Sequence, residues 1–331
     1  MPEDEMVRAQ KLYLFRQELG DIYKIRYGYW DSVQSGKITT HHRRELIRWL
    51  YQLVDFFRYE STESFQLAVN YLDRVCSKYV THLSEYQALG AACFLIAAKA
   101  CEPHPPTCSD MARLSAGAYD VQDLKDTELT VLQVLRWNLN APTPALFLDS
   151  FMKVFPLKKR ELDEVLHKAD TYVAVIQSDY HFMRYRPSVQ TAAALQCAFK
   201  SIGRSADVFH AYMTRELDSL SLDTAAIVSG LELPQLREIN ECARLMSKII
   251  TPTLAHMQTS HPRAKNATKD NHNSIAARTR SRRTCTNVKH GLATPPPSDS
   301  PNENEPPQPS SEGWGSEEDE LSMSDEIGEE E

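Results

Sequence analysis

Apolar residues between positions 40 and 137 recur with the period of an α-helix in five separate segments. The first spans about residues 41–57 and has a wide apolar face made of Leu46, Ile47, Trp49, Leu50, Leu53, Val54 and Phe57. The second begins after Ser61 and Thr62, which we interpret as its N-terminal cap, and reaches about Lys78. The third, about residues 84–101, is apolar on all sides in its middle, so we expect it to be buried among neighbouring helices.

Prolines and polar caps mark where these helices end and begin. Three prolines between positions 103 and 106 end the third helix, because proline cannot continue a helix. Thr107 and Asp110 have the spacing of a capping box and open a short fourth helix that ends at Leu114. Asp120 is the expected cap of the fifth helix. The apolar residues of that helix are Leu124, Leu129, Val131, Leu132, Leu135 and Trp137.

A second set of helices begins at Thr143 and Pro144, a cap followed by proline at the first helical position. The helical pattern then continues to about Ile250, with breaks at 186–187, 203 and 231–234. The low glycine content, 11 residues, also favours helix. We therefore predict an all-α chain with a helical flank (1–38), a first module (39–140), a second module (141–255) and a disordered tail (256–331).

The tail is predicted from its composition. Apolar periodicity stops after Pro252, and seven prolines lie between positions 295 and 309. Residues 256–290 include eight basic residues and one acid, whereas residues 291–331 include thirteen acids and no basic residue. Most of the net charge of −8 therefore lies in the tail, and nothing in the body indicates a general nucleic-acid binder.

Chemically reactive residues do not form a known catalytic motif. The seven cysteines contain no Cys-x-x-Cys pair and lie mostly in apolar runs, so we expect buried free thiols in a reducing compartment. Cys101, His104 and Cys108 have the spacing of metal ligands, but no fourth ligand is near and a proline-rich turn is the favoured interpretation. Glycine-rich phosphate loops and a Gly-x-Ser-x-Gly motif are absent from the sequence. We expect no catalytic residue, no metal and no cofactor.

The sequence also argues against export and membrane insertion. The N-terminus is acidic and polar, unlike a signal peptide. The longest apolar run, residues 89–98, is far shorter than the ~20 residues of a membrane span. We expect neither secretion nor membrane association.

Three segments resemble the cyclin box. They are Phe-Gln-Leu-Ala-Val-Asn-Tyr-Leu-Asp-Arg at 65–74, Gly-Ala-Ala-Cys-Phe-Leu-Ile-Ala-Ala-Lys at 90–99, and Glu-Leu-Thr-Val-Leu-Gln-Val-Leu-Arg-Trp-Asn-Leu at 128–139. Residues 180–188 also resemble a segment of D-type, G1-phase cyclins. The resemblance covers about residues 39–250. It implies two tandem cyclin-box modules of about five helices each, in a non-catalytic regulatory subunit that binds and activates a cyclin-dependent Ser/Thr protein kinase in G1 progression.

The resemblance also implies roles for individual residues. Lys99 and Glu128 match the two cyclin residues that contact the kinase's regulatory helix, although Lys99 could instead complement a helix dipole and Glu128 could be solvated. Leu132 and Trp137, with Leu139, would add apolar contact or core, an alternative that the sequence leaves open. Two further residues, Arg43 and Asp73, match a salt bridge that ties two cyclin helices together, so we assign that pair to folding.

A substrate-docking groove is expected to be weakened. In many cyclins this groove reads Arg-x-Leu peptides of substrates and inhibitors. Three of its positions match here, but a histidine and a glutamate replace apolar residues, which should impair a leucine pocket. The five positions are His42, Glu45, Leu46, Trp49 and Gln87. Glu45 is a candidate for selecting basic peptides instead, and the Leu-x-Cys-x-Glu segment of many D-type cyclins is absent from the sequence.

The tail has short motifs that suggest regulation. The basic run at 278–283 is either a nuclear import signal or a solvated segment, and we expect the protein in nucleus and cytoplasm. Candidate phosphorylation sites that could control turnover or export are Thr294, Ser300, Ser316 and Ser324. Three alternatives remain: a transcription-associated kinase cyclin, a TFIIB-like cyclin-fold protein that binds DNA without a kinase, and a cyclin fold that has lost kinase binding.

Overall fold

The structure, a computed structural model, describes residues 3–152, 155–221 and 232–260. These residues form α-helices and one 3₁₀ helix, Tyr180–Arg184, and include no strand. The α-helices are α1 Glu3–Leu19, α2 Tyr29–Ser32, α3 Thr40–Phe57, α4 Glu63–Cys76, α5 Leu83–Cys101, α6 Cys108–Leu114, α7 Val121–Val134, α8 Pro144–Met152, α9 Lys159–Ile176, α10 Pro187–Ser201, α11 Ala206–Ser221 and α12 Leu236–Ser260.

Helix α5 is the centre of the first module. It packs against α3, α4, α6 and α7, and its middle, residues 88–98, is buried on all sides. A methyl group placed on Gly90 would lie 2.8 Å from the Leu46 side chain. Because Gly90 has no side chain, α3 and α5 can approach closely at this point. Close packing on every side is expected for α5, which is apolar all round.

Helix α10 has the same place in the second module, where it packs against α8, α9, α11 and α12. Helix α1 also belongs to this second core, because the Phe15 and Phe147 rings lie 5.2 Å apart, centroid to centroid. The remainder of the flank lies on the first module, where Tyr29 is completely buried. The flank predicted at 1–38 thus divides between the two cores.

Polar contacts join the two modules. The Thr62 hydroxyl of α4 donates to Asp170 of α9 at 2.6 Å, and the Gln66 side-chain oxygen accepts from the Ala145 backbone N–H at 2.8 Å. These hydrogen bonds fix the start of α4 against the start of α8 and the middle of α9.

Local signals predicted most helix boundaries. The capping box at Thr107 and the cap at Asp120 are confirmed. Pro144 occupies the first position of α8, but the Thr143 hydroxyl, predicted to cap it, has no hydrogen-bond partner among the described residues.

The predicted cap at Ser61 and Thr62 is only partly correct: the Ser61 hydroxyl accepts from the Glu63 N–H at 3.1 Å, but the Thr62 side chain makes no capping hydrogen bond and donates to Asp170. The Thr62 oxygen accepts from the Gln66 side-chain amide at 2.7 Å rather than from a backbone N–H.

The second module ends later than predicted. Helix α12 continues to Ser260, so residues 256–260 are helical rather than part of the tail. The rest of the predicted tail, 261–331, lies outside the described residues, and so do the basic run at 278–283 and the four candidate phosphorylation sites.

Candidate partner-binding surface

An ion pair between Lys99 and Glu128 lies on the surface of the first module. Lys99 is in the last turn of α5 and Glu128 is in the middle of α7, and these two helices pack against each other. The Lys99 ammonium donates to Glu128 Oε1. The Lys99 side chain is 47% exposed and that of Glu128 is 15% exposed, so the ammonium remains accessible to a partner.

Two exposed apolar side chains lie on α7, which bears Glu128, and in the turn that follows it. Leu129 is 52% exposed on α7 and Trp137 is 66% exposed in the turn that follows α7. Leu132 and Leu139 are partly buried against the first core. Of the three residues left open between contact and core, Trp137 is therefore the one that a partner can reach most fully.

The fifth helix ends earlier than predicted, and its apolar residues do not all lie on one face. The buried residues Leu124, Val131 and Leu135 line one side of the helix, and Leu129 points away from them. Trp137 lies beyond Val134, where α7 ends. The sequence analysis did not single out Leu129 as a surface residue; its angular offset from Leu124 was the available signal.

Arg43 and Asp73 form a buried bidentate salt bridge between α3 and α4. Arg43 Nε donates to Asp73 Oδ1 and Arg43 Nη2 donates to Asp73 Oδ2, both at 2.7 Å, and each side chain is 2% exposed. Burial by itself would lower the pKa of Arg43, but the charge and hydrogen bonds of Asp73 outweigh it and raise that pKa. Arg43 thus remains charged in a buried position.

The same pair reaches two other elements. Arg43 Nη1 donates to the Gln177 carbonyl oxygen at 2.9 Å, just after α9, and the Tyr29 hydroxyl donates to Asp73 Oδ1 at 2.9 Å. Burial, and next the Asp73 charge, raise the pKa of Tyr29, so its hydroxyl stays protonated and can donate. One ion pair therefore ties together α3, α4, the N-terminal flank and the second module.

The predicted docking positions are spread between core and surface. Leu46 and Trp49 are 1% exposed and belong to the first core. His42 is used in a cap, where its Nδ1 accepts from the Thr39 N–H at 3.2 Å. Glu45 accepts from Arg48 at 2.8 Å, which offsets the negative charge expected to select basic peptides. Gln87 is half-buried, and its side-chain nitrogen has no hydrogen-bond partner among the described residues.

The structure also bears on the possible metal ligands Cys101, His104 and Cys108 and on membrane-spanning helices. The described residues contain no cluster of His, Cys, Asp or Glu that could hold a metal ion, and this includes the segment with Cys101, His104 and Cys108. Burial, and next the charges of Glu63 and Glu102, raise the pKa of Cys101 to about 12, so its thiol stays protonated. None of the helices in the described part of the chain is both long and apolar enough to span a membrane.

Known proteins share this architecture. Residues 12–140 match the N-terminal domain of the cyclin family, and residues 142–279 match its C-terminal domain. G1/S-specific cyclin-D2 of Xenopus laevis is 31% identical over 207 residues, which are 62% of this chain and 69% of that protein. The chain belongs to the cyclin family. The predicted pair of tandem cyclin modules is confirmed.

Other cyclins agree with this assignment. G1/S-specific cyclin-D3 of Homo sapiens is 31% identical over 202 residues, covering 61% of this chain and 68% of the human protein. For G1/S-specific cyclin-D2 of Rattus norvegicus, the identity is 30% over 56% of this chain, and the match spans 64% of the rat protein's length. A viral cyclin from Herpesvirus saimiri shares the fold, with a TM-score of 0.55 at 20% identity over 72% of this chain and 97% of that chain.

Proposed function

We propose that this cyclin is the regulatory subunit of a cyclin-dependent Ser/Thr protein kinase and promotes G1 progression. The G1/S-specific cyclins D2 and D3 among its relatives support the proposal. One structural observation carries it: α7 bears both Glu128 of the solvent-accessible ion pair with Lys99 and the exposed Leu129, and Trp137 is exposed in the turn that follows α7.

The ion pair is suited to exchange partners. An exposed pair of this kind contributes only about 0.2–1 kcal/mol to stability, so opening it for a kinase costs little. An ammonium has three N–H donors and a carboxylate has two acceptor oxygens, so each group can also bind backbone or side-chain groups of a kinase helix. The ion pair therefore supplies orientation and specificity.

Trp137 is suited to supply affinity. Tryptophan is enriched among the residues whose truncation most weakens protein interfaces. An aromatic side chain of this size buries roughly 150–250 Å² when it is fully covered. At 66% exposed, most of that area is still free in the unbound chain.

In this proposal the kinase performs the chemistry. An active kinase requires a Lys–Glu ion pair that positions the ATP phosphates, and the cyclin holds the helix that provides the Glu. ATP and Mg²⁺ bind to the kinase, and this chain contributes no cofactor and no catalytic residue. Docking of substrates and inhibitors through positions 42, 45, 46, 49 and 87 is weak, because Leu46 and Trp49 are buried.

The test uses the full chain as bait in a cell extract, with recovered protein kinase activity as the readout. Lys99→Ala/Glu128→Ala should reduce the recovered kinase by at least about tenfold, which corresponds to 1.4 kcal/mol. The matched control is Lys168→Ala/Glu164→Ala, which removes an ion pair within α9 and should leave recovery unchanged. Circular dichroism must show all variants folded. If the folded wild-type chain recovers no kinase, the proposed function is wrong.

We also propose that the protein occurs in nucleus and cytoplasm, with the basic run at 278–283 as the import signal. A fluorescent fusion of the full chain should lose nuclear signal when Arg278, Arg280, Arg282 and Arg283 are changed to alanine. Unchanged nuclear signal in that variant would remove the basic run as the signal.

A further inference from the structure

The turn after α7 has a backbone conformation that its residues rarely adopt. Arg136 and Trp137 have φ angles of 51° and 57°, in the left-handed region that favours glycine. The Trp137 N–H donates to the Leu132 carbonyl oxygen at 3.0 Å, and the Arg136 N–H donates to the Gln133 carbonyl oxygen at 2.9 Å. These bonds end α7 as a helix C-cap does, but with two bulky residues in place of glycine. Such a turn persists only when surrounding groups hold it.

Two side chains of α4 donate hydrogen bonds to the backbone of this turn. The Tyr71 hydroxyl donates to the Leu139 carbonyl oxygen at 2.7 Å, and Arg74 Nη1 donates to the Asn138 carbonyl oxygen at 2.9 Å. Both α4 side chains are completely buried. The carbonyl groups that they bind immediately follow Trp137, so their position sets where the Trp137 backbone lies.

Arg74 is unusual because its charge is buried without a carboxylate. None of the ion pairs among the described residues includes it, and its Nε and Nη2 atoms have no hydrogen-bond partner there. Its guanidinium lies over the Tyr23 ring, 5.2 Å from the centroid, and its Nη1 also reaches Asn70 Oδ1 at 3.4 Å. Burial lowers the pKa of Arg74. Core packing alone would favour an apolar residue here, since an unpaired buried charge is costly. The bond to the Asn138 carbonyl is the shorter of the two hydrogen bonds that the guanidinium donates.

We propose that Tyr71 and Arg74 are positioning residues, which hold the turn at 135–140 so that Trp137 is presented to the protein partner in one fixed orientation. This inference rests on the proposed function for the nature of the partner. In this proposal Trp137 contacts the kinase, and the motif at 65–74 contributes by fixing the position of Trp137. Helix α4 itself need not contact the kinase.

The first experiment measures the turn in the free protein. The full chain is labelled with 5-fluorotryptophan, and the ¹⁹F resonance of Trp137 is assigned with a Trp137→Phe variant. Tyr71→Phe removes the hydroxyl alone, so the Trp137 resonance should shift and broaden. The control is Tyr86→Phe, because the buried Tyr86 hydroxyl has no hydrogen-bond partner among the described residues; it should leave the resonance in place. A Trp137 resonance that Tyr71→Phe does not change would overturn the proposal.

The second experiment is a double-mutant cycle on kinase affinity. Tyr71→Phe should weaken binding by about fivefold, as expected for the loss of one buried hydrogen bond. In a Trp137→Ala background the same change should weaken binding by less than about twofold, because the residue that it positions is already gone. Losses that multiply in the double variant would show that Tyr71 does not act through Trp137.

Failure of the two proposals can be told apart. If the wild-type chain binds no kinase, the proposed function is wrong, and the ¹⁹F measurement still decides whether Tyr71 holds the turn. If the kinase binds and the Trp137 resonance and the cycle are both insensitive to Tyr71, the positioning role is wrong and the proposed function stands.

Discussion

Two ion pairs in the first module, Arg43–Asp73 and Lys99–Glu128, each connect two helices, yet their surroundings differ completely. Arg43 and Asp73 are 2% exposed and make two parallel hydrogen bonds, with further bonds to Tyr29 and Gln177. Lys99 is 47% exposed and shares one bond with Glu128. The buried pair cannot open without leaving uncompensated charge, whereas the exposed pair can change partners freely. The difference in burial fits a folding role for Arg43–Asp73 and the proposed recognition role for Lys99–Glu128.

The largest effect is expected at the buried pair. Asp73→Ala leaves the Arg43 guanidinium buried without its counterion and removes the acceptor of the Tyr29 hydroxyl. The free energy of unfolding should fall by about 3–5 kcal/mol, as measured by urea denaturation of the full chain. The control, Asp55→Ala, changes an exposed aspartate of α3 and should alter it by less than about 0.5 kcal/mol.

A companion variant sharpens this test. Arg43→Met/Asp73→Leu replaces both charges by apolar groups and should cost clearly less than Asp73→Ala, because no charge is left unpaired. If the double variant is as unstable as the single one, the bonds to Tyr29 and Gln177 matter more than the charge itself, and the comparison between the two pairs must be revised.

An intermediate effect is expected at Glu18, a buried carboxylate with an incomplete partner. Glu18 of α1 accepts from the Ser188 N–H at 3.1 Å and from the Ser188 hydroxyl at 2.7 Å, at the start of α10, while Arg186 Nη1 is 3.9 Å away. Burial raises the pKa of Glu18 above its ordinary 4.5, although the Ser188 bonds and Arg186 partly oppose this. Glu18 is thus buried like Asp73 but lacks a bidentate ion pair, whereas Glu128 is partly exposed and paired with Lys99.

The raised pKa predicts the sign of a pH dependence. Between the ordinary value, 4.5, and the higher folded value, the folded state binds more protons than the unfolded state, so the Glu18 contribution to stability falls as pH rises. Below 4.5 this contribution is fully present. Glu18→Gln cannot titrate, so the stability of wild type relative to this variant should decline as pH rises through that window, at about 1.4 kcal/mol for each unit by which the pKa is raised. Urea midpoints of both proteins from pH 4 to pH 8 check this; a constant difference would contradict it.

These contrasts also show what the sequence could predict. The five helices of the first module and the caps at Thr107 and Asp120 follow from apolar spacing and local cap chemistry, both of which act within one turn of helix. Thr62 was assigned wrongly and helix α1 incompletely, because their respective partners, Asp170 and Phe147, lie in distant parts of the sequence.

The candidate site shows the same limit. Lys99 and Glu128 are 29 positions apart, and only resemblance to a family joined them before the structure placed their charged groups together. Tyr71 and Arg74 lay within the quoted 65–74 motif, but no local pattern reveals that their side chains reach the turn after α7. Long-range polar contacts of this kind depend on the whole packed module.

The smallest effect on stability is expected at the exposed pair, Lys99–Glu128. A large effect there would contradict the contrast drawn with the buried pair, Arg43–Asp73. Lys99→Ala should lower the free energy of unfolding by less than about 1 kcal/mol, and 0.5 M salt should shrink that difference further, because exposed charges are screened. The same substitution should weaken kinase binding by at least about tenfold if the ammonium orients the kinase helix. A small stability loss with a large affinity loss is the signature of a recognition residue. A stability loss near that of Asp73→Ala would instead place Lys99 with the folding pair, and the exposed ammonium would no longer distinguish the two.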